Sequence, residues 1–126
     1  MCIQTVGESM KQFMLIIRSE SIDYSKFSPS DFQNFMTEYA NWTKKLATRE
    51  EFIAGEKLTE NLGKTLRKKG KSIEIDGPYS DSKDAIGGFY IVKARDEVSA
   101  IEIANDCPSL KYGGSVEVRE IELLKR

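Results

Sequence analysis

Acid–base chemistry in this chain falls to carboxylates, lysines and tyrosines, because none of its 126 residues is a histidine. That excludes Ser-His-Asp and Cys-His nucleophilic sites, His-ligated zinc or iron, and a histidine general base. The carboxylates with the most promising settings are Glu38, Glu56 and Asp76. Glu38 precedes Tyr39 in an aromatic segment, while Glu56 and Asp76 close short strand-like runs. A carboxylate at a strand end beside aromatic rings can have a raised pKa and act as a general base; a solvated or ion-paired carboxylate does neither. Arg18 closes an apolar run and can grip a carboxylate of a ligand or of the protein itself. Tyr39 and Trp42 combine apolar bodies with polar tips, which suits them to a pocket wall. Tyr79, Lys83 and Tyr90 complete the candidate set. Together with Asp76, Tyr79 and Lys83 either ring the mouth of a pocket between a sheet and the first helix or belong to a strand-to-loop-to-strand connection that docks at a dimer edge.

Other chemistries lack their residues. Cys2 and Cys107 stand 105 positions apart with no metal-ligand spacing. Two such thiols suit a reducing, cytoplasmic setting, with Cys107 a small buried group at a helix end. Gly63-Lys64-Thr65 resembles the tail of a phosphate-binding loop, but Leu58 stands where that loop needs its first glycine. Asp81-Ser82-Lys83-Asp84 lacks the glycine and final glutamate of a calcium loop. No cofactor or metal is expected. The net charge of −1 argues against a dedicated nucleic-acid binder. Lys64, Arg67, Lys68, Lys69 and Lys71 form a local basic cluster that suits either phosphate contacts or a solvated hairpin tip guarding an edge. The stretch before Gln12 has no apolar core of a signal peptide, and the apolar run Phe13-Met14-Leu15-Ile16-Ile17 is too short to cross a bilayer.

The elements that must hold these residues are legible in the pattern. Residues 13–17 read as a strand apolar on both faces, followed by a polar connector over 21–27. Ser28-Pro29-Ser30-Asp31 is a helix start: a cap, a proline suited to the first position, and an acid completing a capping box. Phe32, Phe35, Met36, Tyr39, Trp42, Thr43 and Leu46 then share one helical face of about four turns. That stripe suits core packing, or the wall of a ligand box. Phe52-Ile53-Ala54-Gly55 starts a strand and 56–63 a loop. Residues 65–67 and 72–75 flank Lys68-Lys69-Gly70-Lys71 as a hairpin. Asp76-Gly77-Pro78-Tyr79 is a turn, and 80–86 a polar loop. Residues 87–92 form the best strand, also apolar on both faces. Asp96 opens a second helix with Val98, Ile101 and Ala104 inward, and Pro108 stops it. Residues 115–119 alternate as a last strand.

This order predicts an α+β, ferredoxin-like βαββαβ fold with an extra hairpin, as a single domain over residues 1–126 with its core at about 11–122. An antiparallel sheet with two helices on one face leaves the other face open. Because that face is apolar here, a second copy is the expected cover, making a homodimer.

Asp76-Gly77-Pro78-Tyr79-Ser80-Asp81-Ser82-Lys83-Asp84, followed by Gly87-Gly88-Phe89-Tyr90, resembles the DGPF-motif branch of the YCII-related family, whose members read close to D-G-P-F-A-E-T-K-E and G-G-F-Y. Tyr79, Ser80, Asp81, Ser82 and Asp84 are mild departures. Gly113-Gly114-Ser115-Val116-Glu117-Val118-Arg119 is similar to that family's close, and residues 13–17 fit its first strand. The resemblance implies a dimeric α/β barrel of ferredoxin-like subunits. A His-Asp pair associated with the wider group is not carried over to a chain without histidine. The functional expectation is a small-molecule ligand between sheet and first helix, with a reaction left open. The alternative is a non-catalytic regulatory or interaction module with a protein or nucleic-acid partner.

Overall fold

A computed structural model describes residues 10–18, 22–59, 61–78 and 85–124. The first strand, β1 (Lys11–Arg18), alternates cleanly in burial: Phe13, Leu15 and Ile17 are buried while Met14 and Ile16 are half-buried on the opposite face. The connector after it is not wholly irregular. Tyr24–Lys26 forms a 3-10 turn capped by Asp23, whose side chain accepts from the Ser25 amide.

Helix α1 (Pro29–Thr48) begins as the sequence predicts. Ser28 Oγ accepts from the Asp31 amide at 3.1 Å, and Asp31 Oδ2 accepts from the Ser28 amide at 2.9 Å. Two otherwise orphaned donors are thereby satisfied. The expected apolar stripe is only partly inward. Phe35, Trp42 and Leu46 are buried, whereas Phe32 and Met36 near the helix start are exposed, Phe32 packing on the connector rings Tyr24 and Phe27.

Strand β2 (Phe52–Lys57) carries two residues beyond the expected run, so Glu56 lies within it. β3 (Thr65–Lys69) and β4 (Ser72–Asp76) form the expected hairpin as a separate two-stranded sheet, turned through Gly70 at φ 62°. Strand β5 (Gly88–Ala94) follows the segment 79–84, which lies outside the described residues and holds most of the expected 80–86 loop.

Helix α2 (Glu97–Asn105) starts on its expected cap, with Asp96 accepting from the Ser99 amide. Its buried face differs from the expected one. Ala100, Ile103 and Ala104 point inward, while Val98 and Ile101 are exposed. Pro108 does not simply stop this helix. It opens a short helix α3 (Pro108–Lys111), behind the break at Asp106 and Cys107. Strand β6 (Ser115–Ile121) is the last regular element among the described residues.

The four long strands lie in the order β2-β5-β1-β6, every neighbouring pair antiparallel. Each strand–helix–strand unit therefore has a strand of the other unit between its own two, the split βαβ arrangement compatible with a ferredoxin-like fold. Phe13 pairs with Val92 and Leu15 with Tyr90, placing these side chains on the face that meets α1 and α2. Trp42 and Leu46 from α1, and Ala100, Ile103 and Ala104 from α2, complete one core on that face. Met14, Ile16, Phe89 and Ile91 occupy the other face, half-buried by one another. No described helix is long and apolar enough to cross a membrane.

Candidate functional site

Between α1 and the sheet opens a pocket of about 250 Å3. Its walls come from four directions. Ile17 lies near the end of β1; Phe35, Met36 and Tyr39 descend from α1; Gly55, Glu56 and Lys57 end β2; Gly87 precedes β5, and Gly88 and Tyr90 stand at its start. Tyr24 and Ser109 complete the lining. Gly87 ties this corner together: its amide donates to Ile17 C=O at 2.7 Å and its carbonyl accepts from the Leu58 amide at 2.8 Å. Gly88 is needed because a Cβ there would sit 2.9 Å from the Glu56 carbonyl oxygen.

Tyr39, Tyr90 and Ser109 bring hydroxyl groups to the lining. Tyr39 OH makes a short hydrogen bond with Ser109 Oγ and lies 3.3 Å from Cys107 Sγ. Tyr90 OH makes a short hydrogen bond with Thr43 Oγ1, and Thr43 in turn donates to the Tyr39 carbonyl at 2.9 Å. Burial pushes the Tyr39 phenol far above its usual range, with neighbouring Cys107 adding to the shift. Burial likewise raises Tyr90 and Cys107. All three are neutral at physiological pH, so they offer hydrogen bonds and not charge.

Of the candidate residues, Tyr39, Glu56 and Tyr90 come together in this pocket. Trp42 does not line it. Its indole is buried behind Tyr90, ring centroids 4.6 Å apart, and its Nε1 makes no hydrogen bond among the described residues. Glu38 faces outward, where Lys111 Nζ donates to it at 2.7 Å and Tyr112 OH at 2.9 Å. The Lys111 bond holds its carboxyl below the usual range. Arg18 belongs to the opposite sheet face and donates to Glu117 at 2.8 Å, lowering that carboxyl. Asp76 sits exposed on the hairpin with Arg67 Nε 4.0 Å away, and does not line the pocket. Tyr79 and Lys83 lie outside the described residues.

The family model of the YCII-related domain matches residues 12–125, nearly the whole chain. The chain belongs to the YCII-related family. It is also 33% identical over 57 residues to an uncharacterised protein of Rhizobium meliloti (strain 1021). That stretch covers 44% of this chain and 46% of the relative, so the match spans about half the relative's length.

In this YCII-related protein the pocket also recruits residues that sequence reasoning passed over. Ser109 supplies a hydroxyl, Lys57 a positive charge and Tyr24 an aromatic ring to the lining, while Thr43 stands behind it, bonded to Tyr90. Ser109 is 1% exposed and meets a tyrosine 70 positions away, a pairing no local pattern announces. Thr43 did stand on the predicted helical face, and its hydroxyl was the available signal. Among the described residues no group of three or more acidic or cysteine side chains is arranged to hold a metal ion.

Proposed function

We propose that this YCII-related protein binds a small molecule in the pocket between the sheet and α1. The observation that supports this is the pocket itself: aromatic and aliphatic walls, the neutral hydroxyl-bearing Tyr39, Tyr90 and Ser109 among its lining residues, and Lys57 and Glu56 at the end of β2. Such a mix of apolar wall and few convergent polar groups is what small-ligand sites use. The volume holds roughly eight water-sized groups, counting about 30 Å3 for each, so the ligand is compact. Binding is what these neutral groups support; no reaction is assigned to them.

We further propose membership of the DGPF-motif branch, on Asp76-Gly77-Pro78-Tyr79 and the Gly87-Gly88-Phe89-Tyr90 strand. With it goes a dimeric α/β barrel in which the Met14, Ile16, Phe89 and Ile91 face meets a second copy, in a reducing cytoplasm that keeps Cys107 a thiol. A non-catalytic interaction module is the second reading. It is favoured by the hairpin, where Leu66, Ile73 and Ile75 are 57–66% exposed beside the basic cluster. Amide chemical-shift mapping with a library of small polar ring compounds tests the first reading. Compounds that bind should shift Lys57, Gly88 and Ser109 together; a screen whose hits map only to the hairpin would favour the second.

A further inference from the structure

The pocket's two phenols differ in what they leave for a ligand. Tyr39 OH is shared between Ser109 Oγ and Cys107 Sγ, so its hydrogen-bonding capacity is turned into the protein. Tyr90 is tied only at Thr43 among the described partners of its hydroxyl, and the direction of that bond can be worked out. A threonine hydroxyl has one proton and two acceptor positions. Thr43 spends its proton on the Tyr39 carbonyl, four residues back in α1, at 2.9 Å. A carbonyl can only accept, so Thr43 Oγ1 must be the acceptor in its short bond with Tyr90 OH. The Tyr90 proton is thereby committed to Thr43, its oxygen keeps lone-pair capacity, and Tyr90 is one of the residues lining the pocket. Lys57 is the one cation among the described lining residues, and only one of its ammonium protons is spent, on Leu58 C=O at 3.3 Å.

We propose that Thr43 is a specificity-determining residue that holds Tyr90 as a hydrogen-bond acceptor, so that the pocket selects a small anionic ring compound that donates to Tyr90 and sets its negative group near Lys57. This rests on the small-molecule reading of the pocket. Thr43 acts through Tyr90 and need not touch the ligand.

Two probes of nearly equal shape separate the alternatives: 4-aminobenzoate, which carries a donor opposite its carboxylate, and 4-methylbenzoate, which does not. Titration calorimetry or chemical-shift titration at pH 7 gives both affinities. The native protein should prefer the amino compound by roughly three- to tenfold, the equivalent of one net hydrogen bond. Thr43→Val releases the Tyr90 proton toward the pocket and should abolish the preference, whereas Thr43→Ser should keep it. Tyr90→Phe should also abolish it, and serves if Thr43→Val does not fold. Equal affinity of the native protein for both probes, or a preference that survives Thr43→Val, overturns the assigned polarity while leaving a binding pocket in place. Failure of both probes to bind at millimolar concentration overturns the ligand class, and if no compound in the wider screen maps to the pocket, the small-molecule reading falls as well.

Discussion

Tyr39 holds the pocket's inner wall by two means, edge-on contacts with Phe35 and Trp42 and the hydrogen bonds of its hydroxyl. Tyr39→Phe keeps the first and removes the second, leaving the buried Ser109 hydroxyl short of a partner. Urea unfolding should show a loss of about 1–3 kcal/mol, the cost of an unsatisfied buried polar group. Ser109→Ala in the same background should recover part of it, as coupled residues do in a double-mutant cycle. The same cluster sets an alkaline limit. Cys107 and Tyr39 have folded pKa values above their ordinary 9.0 and 10.0, so the unfolded chain loses these protons first. Stability should therefore hold below pH 9 and decline as pH rises beyond it. In Cys107→Ala the first onset should vanish and the decline should begin nearer pH 10, as followed by thermal unfolding across pH. Tyr39 was legible as a pocket residue from its polar tip, and Trp42 looked equivalent. They part because three residues turn a helix by about 300°, leaving neighbours on one stripe roughly 60° apart. That is enough to send Trp42 into the core and Tyr39 to the cavity.

Local signals carried most of the elements, and the exceptions have a common cause. Helix caps are written in adjacent residues, so Ser28-Pro29-Ser30-Asp31 and Asp96 were readable. Ser28→Ala should lower stability by about 1 kcal/mol. The inward face of α2 was not readable, because a short helix with apolar residues around its circumference has no clear stripe. Packing chose the small Ala100 and Ala104 with Ile103, which lets the helix approach the sheet closely, and left the larger Val98 outside. Two substitutions check this assignment by chemical denaturation. Val98→Lys should change stability by no more than about 0.5 kcal/mol. Ala100→Leu, at a position with no exposed surface, should cost about 1–3 kcal/mol through overpacking. The reverse ranking would restore the Val98 face. The hairpin was legible because its turn glycine and flanking runs are adjacent. Nothing local says what meets its exposed Leu66, Ile73 and Ile75, and a lone two-stranded hairpin is marginally stable in water.

At the scale of the molecule, the two faces of the four-stranded sheet divide the work. One carries the core and the pocket under α1 and α2. The other presents Met14, Ile16, Phe89 and Ile91 in adjacent cross-strand pairs, edged on β6 by Glu117 with Arg18 and Arg119. Alternation along β1 and β5 made both faces legible, since a solvated antiparallel face would carry polar residues at every second position. The pocket was less legible because it depends on how α1, the connector before it and the strand ends meet in three dimensions. An apolar centre with a charged edge has the composition of an interface, hydrophobic in the middle and polar at the rim. Sheet-to-sheet contact between two copies would bury that centre while the rim charges limit how far the copies slide. Light scattering at micromolar concentration should then give twice the 14.3 kDa of one chain. Ile16→Glu puts a charge at the middle of the face, where its register partners are Phe89 and Glu117. It should return the mass to 14.3 kDa with the helical signal retained. Because the pocket opens on the opposite face, the same variant should still bind a pocket ligand. A native mass of 14.3 kDa would remove the dimer and leave the pocket standing. A dimer unaffected by Ile16→Glu would move the interface away from this face, with the exposed aliphatic side of the hairpin the next surface to substitute.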